Sequence, residues 1–517
     1  MIAALVLASI VVSAAPSLRG TWVWDDRVWG PTAFNFHDTV FGVQGSIWRP
    51  ASNIVNYLVH AALPTPLFHR LARLLLHLVA VTLLARSARA LGARPEAAWL
   101  AAATFGLHPA ASECFFWISS LTELVPSLLL LGSWAAFLSG RSVLAGVLAA
   151  ISPFGKEAFL LAPGSLLLLG WGTSRKPWLS SGIALAGSLS YLGLRAALTG
   201  PLPVGALRSD PLGAIGASGA RLLELFLVPG SADLFVPFQS ARAAGVAVLV
   251  VVAVAAALAK RRPALAAAVA GLPPLLPNAI AVASTRLVAD RYFYTALAGI
   301  CLALALLLER LFQKRVRLAP ALALIPLALG ASTFLRAFDW VDTEHVALAS
   351  LQRDPDNTRA AFHYAFALHT EGPGCGAAIP WYQRGLESDE RAATNLLACL
   401  VSEKRFAEAV ALAPRVPLSS AAGSRNIARA FASLGQAGPA LEAARRATVL
   451  DPRSPASWVL LGQVQALAGA LEAAQRSFST ALSLEPGSAE AQAGLAALRG
   501  KMERAGTLNE RSPLPPP

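Results

Sequence analysis

Apolar runs of hydrocarbon length, separated by short clusters of charge, fill the first 340 residues of the chain. They fall near 2–18, 69–91, 96–112, 117–139, 142–155, 158–173, 178–199, 243–259, 264–283, 292–309 and 318–335. A helix of about 20 apolar residues crosses the hydrocarbon layer of a bilayer. The pattern therefore predicts an all-α, polytopic membrane domain over 1–340 with about 11 spans. The run at 142–155 is short and ends in Ser152-Pro153. Residues 2–18 are read as an uncleaved first span, because no basic stretch precedes the signal-peptidase-like Val12-Ser13-Ala14. In the first loop, 19–68, the part-apolar stretch Ala51–Leu63 places Asn53, Asn56 and His60 on one side at helical spacing. That suits a helix lying in the membrane interface.

The pattern then changes. Residues 341–500 lack hydrocarbon-length runs and carry alanine-rich amphipathic stretches. Trp458, Leu461, Gly462, Ala474, Phe478, Ala481 and Pro486 fall at positions 4, 7, 8, 20, 24, 27 and 32 of one frame. This is the tetratricopeptide pattern, a helix pair repeating every 34 residues. Pro452 precedes Pro486, and Ala440 and Ala447 precede Ala474 and Ala481, by that interval. With Asp354-Pro355 ahead of Ala360–Leu368, and degenerate sequence around Cys375–Ala413, about four units are expected. They form an α-solenoid that ends in a disordered proline-rich tail, 501–517.

Composition narrows the class. Apolar residues make up 55% and charged residues 14% of the 517, where a soluble chain carries about 25% charge. The net charge of +13 does not signal nucleic acid, because the basic residues sit in clusters between apolar runs, as orientation signals do. With the N-terminus inside, every inner loop carries at least one base: Arg86, Arg89 and Arg94; Arg141; Arg175 and Lys176; Lys260, Arg261 and Arg262; and Arg310, Lys314, Arg315 and Arg317. The expected setting is a bacterial inner membrane, with a cytoplasmic N-terminus and the repeats in the periplasm. Of the four cysteines, Cys375 and Cys399 are read as buried free thiols, or as a disulfide if the repeats are exported.

The outer face collects Trp22-Val23-Trp24-Asp25-Asp26-Arg27, the segment from His108-Pro109 to Glu113, Lys156-Glu157, the loop 200–242 and Asp290-Arg291-Tyr292. Charges at membrane depth cost about 2.5–3.5 kcal/mol each, so acids and bases gathered there should pair with one another or with a ligand. No Gly-rich phosphate loop, zinc spacing or Ser-His-Asp arrangement is visible. Nor is there a soluble α/β domain for a nucleotide sugar.

The chain resembles the transmembrane and tetratricopeptide-repeat O-mannosyltransferases, and more broadly the polyprenyl-phosphate-sugar glycosyltransferases of the GT-C fold. The resemblance rests on Trp24-Asp25-Asp26-Arg27, Trp48-Arg49-Pro50, Phe68-His69-Arg70 with Leu76-His77, Leu107-His108-Pro109 with Ser112-Glu113, Lys156-Glu157, Ala289-Asp290-Arg291-Tyr292-Phe293-Tyr294 and the repeats. The family's arginine after the His-Pro segment is missing, since Ser119-Ser120-Leu121-Thr122-Glu123 stands there, and Asp290 replaces the glutamate expected before Arg291.

The resemblance implies an inverting transfer of a sugar from a polyprenyl-phosphate donor to a hydroxyl of an exported protein or glycan, with the acceptor docked on the repeats. Asp25 or Asp26 would be the general base. Arg27, Arg49, Lys156 and Arg291 would hold the donor phosphate. His108 and Glu113 would orient the acid or bind a divalent metal, which the residues permit without demanding. Two alternatives stand beside it: a polysaccharide ligase or polymerase, and a non-catalytic repeat scaffold anchored in the membrane.

Overall fold

The computed structural model describes the chain except residues 24–25, 27–35, 43–46, 201–209, 259–261, 286, 315–318 and 510–517. Helices dominate. Among the described residues the only ladder is the antiparallel pair β1 (Val236–Pro237) and β2 (Leu287–Val288). The chain divides into two units, 1–355 and 356–517.

The first unit opens with α1 (Ile2–Ala14), followed in the first loop by α2 (Phe36–Val40) and α3 (Pro50–Ala62). Pro50 starts α3 at a position where its missing N–H leaves no bond unmade. The polarity of α3 is inside out. Ser52 and Asn56 are fully buried, with Ser52 donating to the Gly155 carbonyl at 3.0 Å and Asn56 accepting from Arg73 at 2.5 Å. Ile54 and Leu58 point outward, as do Phe36 of α2 and Phe41 just after it. The helix expected from Asn53, Asn56 and His60 exists, but its polar side packs on the protein.

The same inversion runs along α4 (Pro66–Ala90), which is capped by the Thr65 hydroxyl. His69, Arg70, Arg73 and His77 face inward, whereas Leu67, Leu71, Leu75 and Val79 are exposed at four-residue spacing. A water-soluble amphipathic helix has the reverse arrangement.

Next come α5 (Pro95–Gly106), α6 (Pro109–Phe116), α7 (Leu121–Leu138), α8 (Ser142–Ile151), α9 (Ala162–Thr173) and α10 (Trp178–Thr199). The residues 200–242, expected as a loop, contain α11 (Pro211–Leu227), capped by Asp210. The unit continues with α12 (Arg242–Leu258), α13 (Pro263–Ala270), α14 (Leu275–Thr285), α15 (Tyr294–Lys314), α16 (Ala319–Leu322) and α17 (Leu324–Arg336), and ends with α18 (Thr343–Arg353).

Eleven spans are not reached. Among the described residues five segments are long and apolar enough to cross a membrane: Ile2–Arg19, Pro66–Ala90, Ile118–Leu138, Pro263–Ala283 and Asp290–Gln313. Four shorter apolar helices accompany them, at Ser142–Phe154, Glu157–Thr173, Arg242–Leu258 and Leu324–Arg336. The run at 96–112 breaks where Pro109 begins α6, because the residue before a proline leaves the helical region. The helix α10 is long enough but turns Ser180, Ser181, Ser188 and Arg195 inward, which dilutes its apolar character.

The second unit stacks four helix pairs and a final helix. The pairs are α19 (Thr358–Thr370) with α20 (Cys375–Arg384), α21 (Glu390–Ser402) with α22 (Phe406–Leu412), α23 (Ala421–Ser433) with α24 (Ala437–Leu450), and α25 (Pro455–Leu467) with α26 (Leu471–Leu484). The last helix is α27 (Ala489–Asn509). The starts of α23, α25 and α27 at 421, 455 and 489 keep the 34-residue tetratricopeptide interval. Fully buried alanines, among them Ala365, Ala378, Ala409, Ala428, Ala440, Ala444, Ala474 and Ala481, let the helices approach closely. A Cβ on Gly462 would stand 2.9 Å from the Phe478 ring, so glycine is needed where the α25 backbone meets it. Cys375 and Cys399 form a disulfide joining α20 to α21, in place of two free thiols. Cys114 and Cys301 are free and buried in the first unit. The helix α18 belongs to the first unit, since the division falls after Pro355.

Candidate functional site: an ionic cluster around Tyr292

Asp26 is fully buried. Its Oδ1 accepts from the Ser119 backbone N–H and hydroxyl, both at 2.8 Å, and its Oδ2 accepts from the Val23 N–H at 3.1 Å. Burial pushes its pKa up to about 6, against the Ser119 hydrogen bond and the positive charge of Arg70. Arg70 donates to the carbonyls of Ser17 and Trp340 at 2.6 Å and of Thr21 at 2.7 Å. Arg73 donates to the Ile118 and His69 carbonyls at 2.6 and 2.8 Å and to Asn56. These bonds sew the first loop to α3, α4 and the turn before α7.

Asp26 is therefore an internal anchor and not the solvated loop carboxylate that the sequence implied. Ser119 supplies two of the three bonds that hold it, and Val23 the third. Asp25 and Arg27, expected as base and phosphate ligand, lie outside the described residues.

Four of the remaining candidates come together. Arg49 forms a fork with Glu157, Nε at 3.0 Å and Nη2 at 2.5 Å. Lys156, next in sequence, pairs with Glu123 of α7 and lies 4.3 Å above the Tyr292 ring. The Arg291 guanidinium lies 5.0 Å from the same ring and 4.8 Å from the Trp117 ring. Glu113 of α6 accepts from both the Arg291 side chain and its backbone N–H, the latter at 3.0 Å. Lys156 and Arg291, from distant parts of the chain, thus meet over one tyrosine, and Arg49 joins them through Glu157, the neighbour of Lys156. Burial pulls the Lys156 pKa well down, with Arg49 adding repulsion. It pushes that of Glu113 up, partly opposed by Arg291. The segment Glu113–Ser119 links the two groups, since it carries the Arg291 partner at one end and the Asp26 partner at the other.

The remaining candidate, His108, is engaged by the backbone. His108 caps α6, its Nδ1 accepting from the Ala110 N–H at 3.1 Å, and burial pulls its pKa down to about 4. It acts there as a helix cap. Glu113 turns its oxygens to Arg291. Arg49 has two of its nitrogens bound to Glu157, whereas Arg291 gives one side-chain nitrogen to Glu113. Among the described residues the only metal-type grouping is His369 with Cys375 and Cys399, and the two sulfurs there are already bonded to each other.

Sequence reading missed several partners. Glu123 is the lone carboxylate within an apolar run, and that rarity at membrane depth was a usable signal. Arg221 of α11 holds the buried Asp290 with Nε at 2.9 Å and Nη2 at 3.0 Å. Asp290 also accepts from the Asp233 N–H at 2.7 Å. Nothing in the sequence marks that triad. An apolar groove of about 340 Å³ opens beside α9, α11, α12 and α14, lined by Leu161, Leu168, Leu222, Val252 and Leu276 with Ser218.

No protein-family model matches the sequence, and no curated protein does. Solved structures similar to part of the chain are tetratricopeptide-type proteins. MamA shares 17% identity over 28% of this chain and 81% of its own, with a TM-score of 0.26. The Sgt2 domain from Aspergillus fumigatus shares 22% over 25% and 85%, TM-score 0.22. YrrB, described as a tetratricopeptide protein with an unusual peptide-binding site, shares 17% over 31% and 85%, TM-score 0.28. The repeat fold of the second unit rests on its own helix interval.

Proposed function

We propose that this chain is a membrane glycosyltransferase of the GT-C type, which moves a sugar from a polyprenyl-phosphate donor to a hydroxyl of an exported protein or glycan. The observation that carries the reading is the meeting of Lys156 and Arg291 over Tyr292, with Arg49 of the first loop bound to Glu157 beside Lys156. A lipid-phosphate leaving group is already anionic and needs cations more than a proton. Arg291 and Lys156 supply them, and Arg49 steadies Glu157. The groove beginning at Leu161, just beyond the Lys156-Glu157 pair, suits an isoprenoid tail. The acceptor oxygen attacks the sugar C1 as the C1–O bond to phosphate breaks, and the acceptor proton passes to a carboxylate. Asp26 is spent on holding the loop, so the base role goes to Asp25.

In this reading the apolar segments span a bacterial inner membrane, the repeats lie in the periplasm, and stacked helix pairs offer the acceptor a groove. The Cys375–Cys399 disulfide suits that oxidising compartment. A second reading, an inactive membrane scaffold for the repeats, is favoured by the closed pairing of each cation with a carboxylate.

The test is transfer from a radiolabelled polyprenyl-phosphate sugar by detergent-purified protein. Asp25→Asn should lower the rate by about 10²–10⁴ with normal expression, while Arg291→Ala should weaken donor use. Wild-type rates in both variants would sink the enzyme reading. A phosphatase fused at Gly500 should be active and one at Arg262 inactive; the opposite pattern would overturn the topology.

A further inference from the structure

Two buried arginines on the far side of α6 differ in one respect. Arg221 faces a carboxylate, Asp290, with two nitrogens. Arg336, at the end of α17, is only 7% exposed, yet its bonds go to neutral groups. Its Nε donates to the Ser112 hydroxyl at 3.0 Å and its Nη1 to the Ala232 carbonyl. Among the described residues no carboxylate lies within ion-pair distance of it; Asp290, Asp233 and Asp339 act on it only from farther off, against the like charge of Arg353, and its Nη2 makes no hydrogen bond. A buried charge without a counter-ion is costly, and such charges in proteins are normally paired.

Arg336 also lines a polar cavity of about 190 Å³, together with Gly230, Ala232, Ser332, Asp339 and Arg353. Arg353 comes from α18 and enters the cavity between two carboxylates. Its Nη2 meets Asp339 at 2.5 Å, and its Nη1 lies 3.8 Å from Asp233, which itself accepts from Ser350 at 3.0 Å. The cavity wall thus presents two guanidiniums and one carboxylate, and that carboxylate is engaged by one of the two.

We propose that this cavity is a binding site for a small oxyanion of phosphate size, held between Arg336 and Arg353. Guanidinium groups match the geometry of phosphate oxygens, and the bonds are charge-assisted. The anion supplies in contact the counter-charge that Asp290, Asp233 and Asp339 give Arg336 only from a distance. Asp339 competes with it for Arg353 and sets a limit on affinity. The site is separate from the Lys156–Arg291 cluster: Ser112 bonds Arg336 while its neighbour Glu113 bonds Arg291, and the two arginines act on different spaces.

The experiment is equilibrium dialysis of the full-length protein in neutral detergent against radiolabelled orthophosphate. One saturable site per chain is expected. Arg336→Gln should weaken it by about tenfold or more, the worth of one charge-assisted hydrogen bond. Arg353→Gln, a change at a partly exposed side chain, tests the site even if Arg336→Gln fails to fold, and should weaken binding several-fold. Asp339→Asn should tighten it. Arg291→Ala should leave it unchanged, which separates this site from the proposed donor site. Displacement of orthophosphate in phosphatidylglycerol nanodiscs but not in zwitterionic phosphatidylcholine would identify the phosphate of an anionic lipid headgroup as the occupant, and retention in both a free anion. The proposal is overturned by absence of saturable binding, by binding that survives both arginine variants, or by loss with Arg291→Ala alone.

Discussion

The two units bury opposite things. The first places Arg70, Arg73, Glu113, Lys156, Arg221 and Asp290 in its interior and turns leucines and valines outward. In the second, no described Asp, Glu, Lys or Arg is buried, the core is largely alanine, and ion pairs such as Arg446–Glu442 lie at the surface. A chain that hides its charges and shows its hydrocarbon is built for a medium without water. One that does the reverse is built for water. The contrast also says where chemistry is affordable: a buried charge retained at such expense is a candidate for function, whereas a surface pair is mostly solvated decoration.

The largest effect should come from opening a buried pair in the first unit. Asp290→Ala leaves Arg221 without its carboxylate and should destabilise by about 3–5 kcal/mol, seen as loss of monodisperse protein on size-exclusion chromatography. Normal yield and melting would remove the claim that internal ion pairs hold this unit together.

Next in size is the staple of the repeats. The Cys375–Cys399 bridge spans a sequence separation of 24, and closing a loop of that length is worth about 3 kcal/mol. Replacing both cysteines by serine should lower the unfolding midpoint of the repeats, and reductant should do the same to the wild type while leaving the double variant unmoved. A midpoint indifferent to both would mean that alanine packing alone suffices there.

A comparable but pH-limited effect should come from Asp26. Its pKa rises from 3.8 to about 6 on folding, so the folded state holds a proton that the unfolded state has released. Stability is then greatest below pH 4, falls as pH rises toward 6, and is flat above. A shift of about 2 units corresponds to about 3 kcal/mol. Thermal melts of wild type and Asp26→Asn between pH 4 and 7 should differ in slope; parallel curves would show that Asp26 does not change its protonation on folding. The smallest effect belongs to Arg446→Ala, whose surface pair should give no resolvable change in melting.

Sequence legibility follows the same division. The repeats were readable because their signal is local and periodic: Trp458, Gly462, Phe478 and Pro486 carry the frame by themselves. The gathering of Arg49, Lys156, Glu113 and Arg291 was foreshadowed by their clustering on one expected face. The partners were not, because Glu123 meets Lys156, Arg221 meets Asp290 and Ser119 meets Asp26 only through tertiary packing. Span counting failed for a related reason. Hydropathy registers an apolar run even where Pro109 or a 3₁₀ turn at Ser152–Phe154 has cut the helix. Asp26 looked solvated because loops usually are, and only the fold reveals that Ser119 has drawn it inward.

The 34-residue spacing of α23, α25 and α27 makes this part of the molecule modular. Excising residues 421–454 would join α22 to a helix that begins in the same frame, with Pro455 taking the place of Ala421. The array can therefore be shortened, or lengthened by duplication, without altering the register of what remains. Its reach is thus a length that evolution, or an engineer, can set in whole steps.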